Sequence, residues 1–355
     1  MRAQWKLCLV LVCCGASALA QKPLDIPPVA TPAPAPSSVP MTLDVVVTDK
    51  AGHVIRGLKQ EDFTLLDNKQ PATIRSFAAH DIETPNDDPQ ALVLVIDDVN
   101  TNFSTVSIAR TQIENFVRRD GGHLAIPTGI FMLTDSGLSQ VTEISSDGNK
   151  LADVLHQKEG SLHEIPRSAG FYGGEERVEI SLKALAGLGD YLGHASGRKL
   201  VVWLGPGWPI FDNPNVIVSP QQQRNFFSTI VGITSTLQQA GITLYSIDPL
   251  GTADAASDRT FLWESFLKPV TKPTKADPGD LALQVFAMHS GGTVVSGSND
   301  ITGEIEKCAN DASAWYSMTF DPQRPDAPNT WHDVVVKVDK PGVKVRTING
   351  YYAQP

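Results

Sequence analysis

The sequence has few cysteines, no run of basic residues and no long apolar stretch beyond its N-terminus. Only four of its 355 residues are Cys, and three of them, Cys8, Cys13 and Cys14, lie among the first 20 residues. Cys308 is the one cysteine after that segment, so an intramolecular disulfide is excluded there and the fold must rest on its apolar core. We expect Cys308 itself to be a buried small side chain rather than a reactive thiol.

The charge balance excludes further classes of function. The chain has 29 Lys and Arg against 39 Asp and Glu, and its formal net charge is −10 at pH 7. Because no block of Lys or Arg interrupts this acidity, neither nucleic acid nor an anionic membrane surface is an expected partner. No apolar run after the N-terminal segment reaches the roughly 20 residues that a membrane-spanning helix needs.

The first 20 residues are typical of a secretory signal peptide. Arg2 and Lys6 carry positive charge, Leu7–Val12 is an apolar run, and Ala18-Leu19-Ala20 offers small residues to a signal peptidase. The alternative is an N-terminal membrane anchor. The pattern predicts an exported protein, periplasmic or secreted, with no membrane span after cleavage. Residues 21–41 are rich in Pro and Ala and predict a flexible linker.

Two kinds of hydrophobic pattern divide the rest of the chain. In residues 91–314 the apolar runs Leu92–Ile96, Leu200–Leu204 and Ile242–Ile247 alternate with stretches of helical periodicity. This pattern predicts an α/β fold with a doubly wound, mostly parallel sheet covered by helices on both faces. Residues 42–80 and 315–355 are instead typical of antiparallel strands. We expect them to pack together as a small β unit, built from both chain ends, that flanks the α/β domain.

Several short segments are together characteristic of one family, although none is specific alone. They are Gly57–Phe63, Ile96–Thr101, Gly197–Trp203, His289–Gly292 and Gly350–Ala353. In this order and spacing, from about residue 43 to 353, the chain resembles the bacterial VWFA-related family, a divergent branch of the von Willebrand factor A domains. The resemblance implies the Rossmann-like A-domain fold and an adhesion-type interaction with a protein partner in the cell envelope or outside the cell.

The resemblance also implies a metal-ion-dependent adhesion site, and this sequence departs from its pattern. Such a site holds Mg²⁺ through the oxygens of a D-x-S-x-S loop, a later Thr and a second Asp. Asp97 and Thr101 occupy the first and last positions of the loop, but Val99 replaces the middle Ser. Gly205-Pro206-Gly207 stands where the second Asp would be, and a loop containing Glu175 stands where the Thr would be.

We therefore predict a degenerate site, with Asp97, Thr101 and Glu175 as the remaining metal ligands and no resident cofactor. Bound Mg²⁺ or Ca²⁺ is the alternative. In another alternative register the loop would present Asp98, Asn100 and Asn102 to the ion. Asp97 could instead cap the following helix or satisfy the loop backbone.

Ligands of open α/β sheets bind at the carboxyl ends of the strands, where the strand order reverses. We expect that edge to be formed by the loops of residues 97–103, 205–211 and 248–251. Side chains proposed to contact a partner there are Asp98, Asn100, Trp208 and Phe211. Alternatively, Trp208 and Phe211 fold back as core between the α/β domain and the β unit.

The most consistent function is an exported, non-enzymatic protein-interaction, adhesion-type or scaffold module. One alternative is a true divalent-metal-dependent adhesion domain that uses Asp97 and Thr101. A periplasmic hydrolase is the other, although the sequence has no H-E-x-x-H motif, no G-x-S-x-G elbow and no Walker phosphate loop.

Overall fold

A computed structural model of the chain describes residues 28–31, 35–36, 39–83, 90–157, 170–208, 218–251 and 263–355, with the backbone alone at 170–172. The predicted signal peptide, residues 1–20, and Phe211 lie outside the described residues. The strands are β1 (Met41–Thr48), β2 (Phe63–Asp67), β3 (Gln70–Pro71), β4 (Ile74–Asp81), β5 (Gln90–Asp97), β6 (His123–Thr134), β7 (Gly137–Gln140), β8 (Ser145–Asp147), β9 (Arg198–Leu204), β10 (Ile242–Ile247), β11 (Val294–Val295), β12 (Ala314–Phe320), β13 (Thr330–Val338), β14 (Lys344–Arg346) and β15 (Gly350–Ala353). The helices are α1 (Phe103–Val117), α2 (Gly148–Gln157), α3 (Gly170–Gly193), α4 (Pro220–Gln239), α5 (Leu283–His289) and α6 (Ile301–Asn310).

A seven-stranded, mostly parallel sheet forms the centre of the molecule. Its strand order is β11-β10-β9-β5-β6-β7, and β8 pairs with β6 outside this path. All pairs from β11 to β6 are parallel, whereas β7 and β8 are antiparallel to β6. The six strands of this path are, in chain order, β5, β6, β7, β9, β10 and β11. If they are renumbered 1 to 6, the sheet has the order 3-2-1-4-5-6 when it is read from β7. The order therefore reverses between β5 and β9, the arrangement of doubly wound sheets.

Helices cover both faces of this sheet, because the apolar strands present side chains to each face in alternation. On one face Val93, Val95 and Val201 pack in a single cluster with residues of α3, α4 and α5. On the other face Leu94 packs with residues of α1, α2 and α6, including Cys308. Cys308 is 4% exposed, which confirms the prediction of a buried thiol. Among the described residues, no helix has both the length and the apolar character needed to cross a bilayer.

Two four-stranded antiparallel sheets combine strands from both ends of the chain. One has the order β14-β1-β12-β4 and the other β15-β13-β2-β3. β1 pairs with β12 and β14, and β2 pairs with β13. Side chains from both sheets, among them Leu43, Leu65, Tyr316 and Val336, form one apolar cluster between them.

A buried polar cluster joins this double sheet to the amino end of the central sheet. Arg198, at the start of β9, donates to the backbone carbonyl of Asp311 at 2.8 Å, and its guanidinium lies 5.4 Å from the ring centroid of Trp315 in β12. The Asp311 carboxylate accepts hydrogen bonds from Tyr245 at 2.6 Å and from Arg346 at 2.5 Å. Arg198 is only 4% exposed. The G-R-K segment of the sequence therefore places a structural cation at the joint.

Part of the segment predicted as a flexible linker packs on α4. Val29 is 8% exposed and belongs to the apolar cluster of that face. Its backbone N–H donates to Oγ1 of Thr229 at 3.4 Å. A Cβ on Gly232 would lie 1.9 Å from Oγ1 of Thr31, so the glycine makes room for the segment. Val29 and Thr31 therefore hold this part of the segment against α4.

Candidate functional site

The site expected at the carboxyl edge of the sheet lies where the strand order reverses, between β5 and β9. Asp97 is the last residue of β5, and the following loop leads into α1. Asn102 is the N-cap of α1, since its side-chain oxygen accepts from the backbone N–H of Thr105 at 2.9 Å. β9 ends at Leu204 and is followed by Gly205. The Asp97 loop and the Gly205 turn therefore meet side by side.

The Asp97 carboxylate is fully buried and engaged by groups of the protein itself. Its Oδ1 accepts from the backbone N–H groups of Val99 and Asn100 at 3.0 and 2.9 Å. Its Oδ2 accepts from the Trp203 indole Nε1 and from the Asn100 side chain, both at 2.9 Å. Burial raises the pKa of Asp97, and the hydrogen bonds from Trp203 and Asn100 oppose that rise. This geometry matches the alternative in which the Asp97 carboxylate accepts hydrogen bonds from the backbone N–H groups of its own loop.

Asn100 extends the network to α3. Its Nδ2 also donates to Oγ of Ser181 at 2.9 Å, and Ser181 donates to the backbone carbonyl of Arg177 at 2.7 Å. Ser181 is 0% exposed. In the described part of the chain, Oδ1 of Asn100 has no hydrogen-bond partner.

Sequence reasoning missed Ser181 and Trp203 as members of this site. Each carried a signal, because a buried indole N–H needs an acceptor and a Ser within an apolar helical stripe needs a polar neighbour.

Gly205 is required by the close approach of the two loops. A Cβ at this position would lie 2.8 Å from the Cβ of Asp97 and 3.1 Å from its Oδ2. A side chain of any size here would push the turn away from the carboxylate. The Gly-Pro-Gly sequence that stands in place of a second Asp therefore closes the turn over Asp97.

The remaining predicted ligands are spread around this network. Thr101 is 7% exposed, and the half-buried Asp98 donates its backbone N–H to the carbonyl of Leu133 at 2.9 Å. Glu175 lies in α3, so the expected loop at this position is wrong. Six residues separate Glu175 from Ser181, which corresponds to about 9 Å along the helix axis.

Trp208 is buried, and its ring neighbours belong to β9 and α5 of the α/β domain. It is 5% exposed, and its ring stands edge-on to Trp203 with centroids 5.9 Å apart. The ring of Phe286 in α5 is also close, with centroids 6.3 Å apart. In this conformation the indole is not available to a partner. Among the described residues of this edge, Phe103, the first residue of α1, is an exposed aromatic side chain and is 49% exposed.

The donor set around Asp97 does not suit a divalent cation in this conformation. A hard cation needs oxygen lone pairs directed at it, whereas four N–H donor groups point at this carboxylate. No cluster of three or more His, Cys, Asp or Glu side chains that could hold a metal ion occurs among the residues described.

No protein-family model and no curated protein matches this sequence. Solved structures to which the chain is similar include the human COPII-coat protein Sec24c, with 9% identity over 78% of this chain and 46% of that one and a TM-score of 0.37. An aerotolerance-related membrane protein from Bacteroides fragilis is 13% identical over 63% of this chain and 98% of its own, with a TM-score of 0.34. The pilus adhesin SpaC from Lactobacillus rhamnosus GG is 9% identical over 84% of this chain and 49% of its own, with a TM-score of 0.37. The chain thus spans less than half the length of Sec24c and of SpaC.

Proposed function

We propose that this chain is an exported, non-enzymatic protein-interaction module of the VWFA-related kind, with a protein partner in the cell envelope or outside the cell. Binding takes place through the loops at the carboxyl edge of the central sheet. The observation that carries the proposal is the closed state of the Asp97 carboxylate. It is 0% exposed and held by four donor groups of the protein, which supports a described edge that presents side chains to a partner rather than this carboxylate to a metal ion or a substrate.

The contact surface centres on Phe103. This ring is 49% exposed at the start of α1, next to the exposed Asn102 and close in sequence to the partly exposed Asp98 and Asn100. Aromatic side chains that are half exposed and surrounded by polar groups are favoured anchors of protein interfaces. Trp208 supports the surface from inside, since it packs against Trp203, one of the donors to Asp97.

We propose that binding needs no metal ion. For Asp97 and Thr101 to act as ligands, the carboxylate would have to release Trp203 or Asn100 and turn lone pairs outward. That rearrangement would leave buried N–H groups without acceptors, at a cost of about 1–3 kcal/mol for each. The metal-dependent alternative therefore requires a loop conformation different from the one described.

Affinity capture from the cell envelope tests this proposal with a matched pair of variants. The tagged mature protein, Phe103→Ala and Tyr191→Ala are compared, each with and without EDTA. Tyr191 is the control because it is 50% exposed but lies near the C-terminal end of α3, where it donates to Gln140. We expect Phe103→Ala to weaken capture of the same partner roughly tenfold or more, as for an interface anchor, and Tyr191→Ala and EDTA to leave capture unchanged.

If Phe103→Ala and Tyr191→Ala captured the partner equally well, the proposal that Phe103 forms the contact surface would be overturned. Capture that EDTA abolishes would favour the adhesion domain that uses Asp97 and Thr101. Turnover in a hydrolase screen of the purified mature protein would favour the enzymatic alternative instead.

A further inference from the structure

The dipeptide Asn349–Gly350 lies at the start of β15, where the β unit meets α5. Asn349 is the one Asn of the sequence that is followed by Gly. Its backbone N–H donates to the carbonyl of His289 at 3.3 Å, and its carbonyl accepts from Val334 of β13 at 3.0 Å. An Asn-Gly bond is chemically labile, because the nitrogen after the Asn can attack the side-chain amide and glycine has no side chain to hinder it.

Packing requires glycine at position 350. A Cβ there would lie 2.2 Å from Cζ2 of Trp331 and 2.5 Å from the carbonyl oxygen of His332. The centroid of the Trp331 ring lies 5.0 Å from that of Tyr352 and 5.9 Å from that of His289. The aromatic contacts that hold the β unit against α5 therefore impose the labile dipeptide.

The nitrogen of Gly350 lies outside the hydrogen bonds of its sheet. Val334 donates to the carbonyl of Asn349, so Asp333 and Gly350 form a non-hydrogen-bonded pair of the antiparallel ladder. The N–H of Gly350 therefore points away from β13, and β15 is the last strand of its sheet. Within the described residues this N–H has no acceptor in a turn or loop. Gly350 also borders a small cavity between α4 and α5.

The side-chain amide of Asn349 is not held by its oxygen. Asn349 is partly exposed, and its Oδ1 has no hydrogen-bond partner in the described part of the chain. An amide whose oxygen accepts no hydrogen bond turns toward the backbone without losing one. The attacking nitrogen and the carbon that it attacks thus belong to neighbouring residues, and no hydrogen bond of the sheet separates them.

We propose that Asn349 is a site of spontaneous deamidation in the folded protein, and that its product loosens the contact between the β unit and α5. The nitrogen of Gly350 attacks Cγ of Asn349 and loses its proton, Nδ2 leaves as ammonia, and a succinimide forms. Water then opens the ring at either carbonyl, which gives aspartate or isoaspartate. The reaction involves neither the Asp97 loop nor Phe103, so it is independent of the interaction module proposed above.

Isoaspartate is the product that changes the fold. It adds one carbon atom to the main chain between residues 349 and 350. The carbonyl that accepts from Val334 becomes part of a free carboxylate, and the N–H that donates to His289 is displaced from its position. Both hydrogen bonds at the start of β15 are therefore weakened by the same event.

Tryptic peptide mapping with mass spectrometry follows the reaction while the mature protein is incubated at mildly alkaline pH. Cleavage after Arg346 releases the peptide with Asn349, and cleavage after Lys69 releases the peptide with Asn68. Asn68 is the comparison, since it is exposed in a turn but is followed by Lys. Because the Gly350 nitrogen needs no large opening, we expect Asn349 in the folded protein to react within about tenfold of its rate in guanidinium chloride.

A requirement for global unfolding would instead slow the reaction in the folded protein by roughly 10³-fold or more. A rate more than about tenfold below that of the unfolded chain would therefore overturn the proposal. Faster reaction at the exposed Asn68 than at Asn349 in the folded protein would overturn it equally.

Urea denaturation of fresh and incubated samples measures the effect on the fold. Asn349→Gln is the control, because its longer side chain disfavours ring closure onto the nitrogen of Gly350. Incubation should lower the stability of the wild type but not that of Asn349→Gln, each compared with its own fresh sample. Equal losses in both proteins, or no loss in wild-type protein that contains isoaspartate, would overturn the loosening of this contact.

Discussion

Asp97 is the residue on which the interpretation of the carboxyl edge depends. Asp97 is the last residue of β5, and its carboxylate accepts hydrogen bonds from the loop after β5 and from β9, so it fixes the relative position of these segments. The cost of burying this group is offset by those hydrogen bonds. A residue with this role contributes to stability, whereas an open metal ligand contributes to binding.

We expect Asp97→Ala to lower the free energy of unfolding by about 2 kcal/mol, because the Trp203 indole and two backbone N–H groups lose their acceptor. Urea denaturation of the mature protein measures this change. Asp98→Ala is the matched control, since Asp98 is partly exposed and adjacent in the chain. If Asp97→Ala left stability unchanged but removed a shift of the melting temperature by Mg²⁺, Asp97 would be a metal ligand instead.

At this scale the sequence predicts position better than orientation. The family resemblance predicts Asp97 as a ligand, and the apolar run Leu92–Ile96 predicts that a loop begins there. The apolar loop 205–211 leaves Trp208 open between a contact residue and core, and the structure shows it 5% exposed. Flanking residues show that a turn is present, but whether its side chains point inward depends on the neighbouring elements, here β9 and α5.

At the scale of elements, Lys199 connects the ends of two helices to the central sheet. Its Nζ donates to the carbonyl of Ala240, the C-cap of α4, at 3.0 Å, and to the carbonyl of Ala195, just after α3. A cation is favoured at a helix C-terminus, where backbone carbonyls lack partners. Burial lowers the pKa of Lys199, and the Asp44 carboxylate opposes this change.

Lys199→Met should lower the free energy of unfolding by about 2 kcal/mol, because it keeps the aliphatic chain but leaves the two helix-end carbonyls without their donor. Lys183→Met is the control. Lys183 pairs with Glu179 at 2.5 Å on the exposed face of α3, and an exposed pair contributes below about 1 kcal/mol. Equal losses in the two variants, measured by urea denaturation, would contradict the role in joining the helices.

Elements with strong periodicity were predictable, and those that depend on tertiary packing were not. The apolar runs of β5, β9 and β10 indicated the parallel sheet, because only strands buried on both faces lack polar positions. Gly173 and Gly174 suggested a loop, but both are buried within α3. Glycine weakens a helix by roughly 1 kcal/mol, and packing readily outweighs that preference. For the same reason composition could not show that Val29 packs on α4.

At the scale of the whole molecule, the segment ending in α5 joins the α/β domain to the β unit, which consists of the two antiparallel sheets. The backbone carbonyl of His289 accepts from Asn349 at 3.3 Å, and its ring stands edge-on to Trp331 at 5.9 Å. Asp280 precedes α5 and accepts from the backbone N–H of Asp277 at 2.8 Å. Burial lowers the pKa of His289 from 6.5 to about 4. Burial, together with the charge of Asp277, raises the pKa of Asp280 from 3.8 to about 7.

These two groups act on stability in opposite directions over nearly the same pH range. The low folded-state pKa of His289 means that its contribution is complete above pH 6.5 and is lost as the pH falls to about 4. The high folded-state pKa of Asp280 means that its contribution is complete below pH 3.8 and is lost as the pH rises to about 7. The effects amount to roughly 3 kcal/mol for His289 and 4 kcal/mol for Asp280 at most, so they largely cancel in the wild-type protein.

Single variants should expose each effect. Asp280→Asn keeps an oxygen for the N–H of Asp277 but cannot ionise, so it should stabilise the protein at pH 7.5 and give no gain near pH 4. His289→Phe should lessen the loss of stability on acidification, so its stability relative to the wild type should increase between pH 6.5 and 4. Chemical denaturation across this pH range measures both differences. Parallel pH profiles for the wild type and both variants would mean that neither His289 nor Asp280 changes its protonation on folding, and would contradict this prediction.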